Sequence, residues 1–292
     1  MKDFEYAAAT SVDDAVSLLA ARGDRAKILA GGTDIIVQLR EGLREADFVL
    51  DVKKIPELVS LSFDPKRGLR LGAAAPCYQI YENKAVAAAY PALADSARII
   101  GGWQIKSRAS IGGNLCNSSP AADSIPSLIA LDAVCPIAGP NGSRSVPVAQ
   151  FCTAPGKNVL QRGEFLVSLD FPPPQPRSGS RYLRFIPRNE MDIAVVGIGA
   201  WLRLDARGMN IEEARLGIAA VAPTPLAATD AARWLAGKPA TLESFTEAGR
   251  LARGIAKPIT DMRGPAEYRV HLVGVITQRA LADAAEQAKK TV

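Results

Sequence analysis

Residues 109–123, ASIGGNLCNSSPAAD, constrain this chain more than any other stretch. They hold two adjacent glycines, two asparagines, three serines and a proline, a mixture that reads as neither helix nor strand. Yet they run straight into residues 125–131, IPSLIAL, which are apolar enough to be core. The fold must therefore set bare backbone and small polar groups against a buried segment. A second stretch repeats the theme. In residues 28–35, ILAGGTDI, a short apolar strand is interrupted by Gly31 and Gly32. Glycine lets the backbone turn sharply and approach a ligand with no Cβ in the way. Successive N–H groups in such a turn form an anion-binding concavity.

Around these glycines the side chains are mostly neutral. Thr33, Ser110, Asn114, Ser118 and Ser119 supply donors, and Asp123 suits the hydroxyls of a sugar-like chain. Asp34 fits a hydroxyl or a backbone N–H better than a phosphate. Neither stretch ends in the Lys-Ser/Thr of a phosphate-binding P-loop, and neither is a G-x-G-x-x-G fingerprint. Taken singly, each glycine pair reads first as a plain turn. Taken together, they suit a long ligand whose central diphosphate is neutralised by backbone dipoles rather than by lysine or arginine.

The rest of the chain narrows the chemistry. Its single histidine, His271, lies in the apolar segment YRVHLVGVI and reads as a packing or surface residue. That argues against a histidine zinc site or a Ser-His-Asp hydrolase. Cys77, Cys116, Cys135 and Cys152 make no C-x-x-C pair and read as reduced structural residues, and no metal site is expected on this chain. No side chain stands out as a catalytic acid, base or nucleophile. A net charge of +5 from 35 basic and 30 acidic residues is too mild for a nucleic-acid binder. The N-terminal residues lack an export pattern and no apolar run is long enough to span a bilayer, so a cytoplasmic protein with no membrane span is expected.

Helical spacing with a serine cap predicts a helix over 11–22. A short strand starting at Ala26 and broken by Gly31-Gly32 is expected, with strands over 46–55 and 164–172, a strand running into a helix start over 69–80, a helical region over 81–100, a helical segment over 124–133, and a hairpin over 134–148 turning at Pro140-Asn141-Gly142. Residues 172–180, PPPQPRSGS, mark a domain boundary. Beyond it lie three strands, then helices over 229–236, 241–257 and 265–290. Trp103, Trp201 and Trp234 read as core. Lys106 and Arg108 face either phosphates, solvent or a partner.

The motifs AGGTD (30–34), SIGGNLCNSSPAAD (110–123) and RNEMDIAVVGIGA (188–200) resemble the FAD-binding medium subunit of the molybdenum hydroxylases, the xanthine dehydrogenase, aldehyde oxidase and carbon monoxide dehydrogenase type. The resemblance covers nearly the whole chain. It implies an α+β protein: an FAD-binding domain of the vanillyl-alcohol-oxidase (PCMH) type with two α/β subdomains over 1–175, then a domain of a three-stranded antiparallel sheet and a helix bundle over 180–292.

It also implies that Ile28, Leu29, Ala30, Gly31, Gly32, Thr33, Asp34 and Ile35 wrap the FAD diphosphate. Ser110, Gly113, Asn114 and Ser119 complete the phosphate and ribityl contacts, and Asp123 binds a hydroxyl of the cofactor. Ile100 and Leu166 line its rings, Asp192 and Ile193 lie close to them, and Arg184 stands where relatives often carry a lysine. FAD is expected to be non-covalent, because His271 is far from both loops in sequence. The function implied is electron transfer within an oxidoreductase: a large subunit holds the molybdenum cofactor, a small subunit holds two 2Fe–2S clusters, and this chain passes their electrons to an external acceptor. A stand-alone FAD-dependent oxidase or reductase of the same fold is the alternative, and a non-catalytic binding module with two plain turns is a third.

Overall fold

The computed structural model describes residues 2–291. Ser11 caps the first helix, Val12–Arg22, by accepting the Asp14 N–H at 3.1 Å, with Asp13 and Asp14 in its first turn. This helix packs on a three-stranded parallel sheet in the order Glu5–Ala8, Phe48–Asp51, Ala26–Leu29. The central strand is buried on both faces, as an all-parallel arrangement requires.

A second, antiparallel sheet is built on Gly68–Gly72 and Ser168–Phe171, which pair residue for residue from Ser168–Gly72 to Phe171–Leu69. Leu61–Asp64 extends it on one side and Val134–Gly139 on the other. The latter pairs with Gly142–Pro147 in the expected hairpin. Arg144 clamps that hairpin to Glu164 through a two-pronged ion pair at 2.8 and 2.7 Å. The expected helical region arrives as three short helices, Cys77–Glu82, Lys84–Ala89 and Pro91–Ile99. Proline at the start of the third prevents one continuous helix.

One expectation fails here. Residues Ile111–Asn117, inside the glycine-rich stretch, form a helix. Each helical glycine costs about 1 kcal/mol against alanine, so propensity alone forbids it. Ser110 offsets this by accepting the Gly113 N–H at 3.1 Å, and the helix packs directly on Ala73. The following segment Ile125–Ala130 is helical and wholly buried.

After the proline-rich link, Ser178–Phe185, Val196–Leu204 and Ile211–Ala219 form the three expected antiparallel strands. A two-residue edge strand, Leu226–Ala227, adds a fourth. The long helix Ala266–Ala288 covers this sheet, and together they bury a core separate from those of the first two sheets. Hydrogen bonds join the second half to the first: Ala220 N–H donates to the Pro120 carbonyl at 2.7 Å and the Arg215 side-chain Nε to that of Ala130 at 3.0 Å. The strand Ile211–Ala219 thus holds the 118–131 segment in place. Trp201 is core, but Trp103 is 72% exposed, contrary to expectation. No described helix is long and apolar enough to cross a membrane.

Candidate functional site

The two glycine stretches meet. Gly31 lies so close to the segment before Ile111–Asn117 that an added Cβ would stand 2.0 Å from the Arg108 carbonyl oxygen. Gly112 is as tightly placed, with its would-be Cβ 2.4 Å from the Ala73 carbonyl oxygen. The bare backbone is required because two pieces of main chain pack against each other there. The cleft they form is a cavity of about 530 Å³, within the range of small-molecule and cofactor sites.

Of the residues singled out from the sequence, Ile28, Ala30, Gly31, Gly32, Thr33, Asp34 and Ile35 line one wall. Ser110, Gly113, Asn114, Ser119 and Asp123 line a second, and Ile100, Leu166, Asp192 and Ile193 complete the cavity. Two do not face it. Leu29 packs behind the first wall with Leu39, Ala46 and Val49, because strand alternation turns its side chain away from Ile28's side. Arg184 is buried and paired with Asp123 at 2.6 Å, so it reaches the cavity only through that carboxylate. Lys106 is also turned away: it is buried, donates to the Arg98 carbonyl at 2.8 Å and lies over the Trp103 ring.

The N–H groups of Gly31, Gly32, Thr33 and Asp34 meet no acceptor among the described residues. Four successive open donors along one cavity wall form an anion-binding concavity. On the second wall the Asn114 carbonyl oxygen is occupied, accepting the Ser124 hydroxyl at 2.6 Å and its N–H at 3.3 Å. That leaves the Asn114 side-chain NH₂ as the free donor of this residue among the described contacts. Asp34 lies at the cavity edge, where burial raises its pKa while Arg44 opposes the shift.

Asp123 is the most constrained polar group. It accepts the Tyr182 hydroxyl at 2.8 Å and the Arg184 guanidinium at 2.6 Å. Burial raises its pKa, and these two partners work against the rise. Burial likewise pushes the Tyr182 hydroxyl well up. Asp192, beside the cavity, is held by Arg188 at 3.2 Å and Arg263 at 3.4 Å. Gly112, read from the sequence as half of a glycine pair, lines the cavity, whereas sequence reasoning missed Tyr182, Arg263 and the lining residues Lys27, Gln38, Arg44 and Asn117.

The site thus offers a row of unpaired backbone donors, neutral side-chain donors, an apolar section at Ile100, Phe165 and Leu166, and three carboxylates, Asp34, Asp123 and Asp192. Such a site holds an elongated anionic cofactor by main-chain contacts, with flat apolar room for a ring system. The residues present fit FAD: the open N–H groups of Gly31–Asp34 suit a diphosphate, and the small polar groups of the second wall suit hydroxyls.

Comparison with known proteins gives the family. Residues 2–174 match the FAD binding domain in molybdopterin dehydrogenase, and residues 181–284 match the CO dehydrogenase flavoprotein C-terminal domain. The chain is 34% identical over 286 residues to the xanthine dehydrogenase FAD-binding subunit of Escherichia coli O157:H7, covering 97% of each chain. It is 31% identical to the carbon monoxide dehydrogenase medium chain of Hydrogenophaga pseudoflava, covering 95% of this chain and 96% of that one. It superposes on a chain of the reconstituted CO dehydrogenase from Oligotropha carboxidovorans with a TM-score of 0.93, at 29% identity and 98% and 99% coverage. The chain belongs to the FAD-binding subunit family of the molybdenum hydroxylases, and is an oxidoreductase flavoprotein subunit.

Proposed function

We propose that this chain carries electrons, through a non-covalently held FAD, from the 2Fe–2S clusters of a small partner subunit to an external acceptor. The substrate is oxidised on a large partner subunit that holds the molybdenum cofactor. Residues 1–175 hold the FAD and residues 180–292 brace the 118–131 wall and supply Tyr182, Arg184 and the 188–193 segment. One observation carries the reading: the cavity is rich in donors, and two of its three carboxylates are already engaged, Asp123 by Tyr182 and Arg184 and Asp192 by Arg188 and Arg263. A site that binds a redox cofactor but presents no free acid–base pair suits electron transfer rather than substrate chemistry.

Bound FAD supplies the redox chemistry. The backbone donors at Gly31–Asp34 would hold its phosphates and Asp123 a hydroxyl, with Asp192 and Ile193 lining the same cavity. The non-covalent attachment is supported by the side chains present. His271 is exposed on the C-terminal helix and not part of the cavity. Cys116 lines the cavity, but burial pushes its thiol up to about 12, which keeps it protonated and unreactive.

The tagged full chain, purified from its own cells, is expected to bring down two further chains, with molybdenum and iron in the eluate by elemental analysis. A chain that emerges alone, with its FAD reduced directly by a small molecule, would instead favour the stand-alone oxidase or reductase.

A further inference from the structure

We propose that Lys53 and Arg108 are positioning residues that aim the peptide N–H groups of the Gly31–Gly32 turn into the cavity. This rests on the FAD reading above. Lys53 Nζ donates to the Ala30 carbonyl oxygen at 3.0 Å, and Arg108 Nε donates to the Gly31 carbonyl oxygen at 3.1 Å. In a trans peptide the C=O and the N–H of one unit point in opposite directions. Fixing the Ala30 carbonyl therefore aims the Gly31 N–H, and fixing the Gly31 carbonyl aims the Gly32 N–H. Both N–H groups belong to the cavity wall and have no acceptor among the described residues.

A clamp is needed at this place. Glycine rotates its flanking peptides with little steric penalty. An unclamped turn can swing a carbonyl oxygen into the cavity, where it would repel a phosphate. Two adjacent cations behind the turn oppose that rotation. Neither side chain lines the cavity, so neither needs to touch the cofactor to act.

Lys53 is itself held in place. Its ammonium donates to Asp51 Oδ2 at 2.8 Å, and its own backbone N–H donates to Asp51 Oδ1 at 2.8 Å. The Tyr6 hydroxyl also donates to Asp51, at 2.9 Å. The Asp51 side chain is only 11% exposed and that of Lys53 34%, so this is not a free surface lysine. Arg108 is fixed from the other side, because its own carbonyl is pressed against Gly31. The clamp thus ties the parallel sheet, through Asp51, to the segment that leads into Ile111–Asn117.

The test uses the full chain with its FAD removed and then titrated back. Lys53→Met and Arg108→Met are each expected to weaken FAD binding by ~10–100-fold, the cost of losing a charged hydrogen bond that orders the site. The apo-protein should melt within a few degrees of wild type. The two diphosphate signals in the phosphorus NMR spectrum of bound FAD should move in both variants. Lys53→Arg, which keeps a donor, should restore most of the affinity. If Lys53→Met cannot be purified folded, Arg108→Met reads the same clamp from its other side.

Unchanged affinity and unchanged phosphorus signals would overturn the positioning role and leave the FAD reading intact. Weakened binding that tracks a lowered melting temperature, with phosphorus signals in place, would overturn it too, because that is a merely structural effect. A wild-type chain that takes up no FAD would overturn both.

Discussion

Replacing Gly31 by alanine is expected to cost the chain its FAD. The new methyl group would stand 2.0 Å from the Arg108 carbonyl oxygen and 2.6 Å from its carbonyl carbon. Both are backbone atoms, which cannot swing aside as the tip of a side chain can. The two cavity walls must part instead. Overpacking of this kind destabilises by about 1–3 kcal/mol. The loss in binding should be larger. Parting the walls breaks the Arg108–Gly31 hydrogen bond and displaces several open N–H groups together. Each hydrogen bond to a charged group is worth about 1.5–3 kcal/mol. A fall in FAD affinity of at least ~100-fold follows from losing two. Titration followed by flavin fluorescence, beside a melting curve of the apo-protein, measures both effects. Wild-type affinity in Gly31→Ala would mean that FAD does not lie against this turn.

Asp123→Ala should have the largest effect on stability. Asp123 is the partner of Arg184, whose side chain is only 8% exposed. Removing one member of a buried ion pair leaves the other charge uncompensated, at about 3–5 kcal/mol. The Tyr182 hydroxyl loses its acceptor in the same step. FAD occupancy should fall as well, through the lost contact and through movement of the 119–124 wall. The double variant Asp123→Ala/Arg184→Leu separates these causes. It removes the stranded charge, so it should recover much of the stability. FAD affinity should stay low, because the carboxylate that faces the cavity is still missing. Denaturant unfolding of the apo-proteins reads the first effect and FAD titration the second. A double variant no more stable than Asp123→Ala would show that the pair is not what the carboxylate contributes.

The chain makes some of this legible from its sequence and hides the rest for identifiable reasons. The glycine pairs announce themselves because close backbone approach has a compositional mark, and the cavity indeed gathers both. Ser11 and its acidic neighbours mark the first helix locally, and the hairpin at Asn141-Gly142 is local as well. The helix at Ile111–Asn117 is not legible. Two glycines argue against it, and what overrides them is packing on Ala73, a residue distant in sequence. The long-range pairs are hidden in the same way. Arg184 reads as a group beside the cofactor until the fold pairs it with Asp123, across 61 positions. Lys53 and Arg108 gain their meaning only when the parallel sheet brings the first beside Ala30 and the second wall brings the other beside Gly31. Trp103 reads as core because it is large and aromatic, and nothing local shows that its short helix turns it outward.

The cradle formed by the two glycine stretches is the centre of this account, and one measurement tests it most directly. The full chain is freed of flavin, titrated with FAD while its visible flavin band and melting temperature are followed, and then precipitated with acid. The expected result is saturation at one FAD per chain. A stabilisation of about 2.7 kcal/mol is expected at a hundredfold excess over the dissociation constant, with all the flavin in the acid supernatant. No flavin band and no thermal shift would contradict the cradle, and flavin retained in the acid pellet would contradict its non-covalent hold.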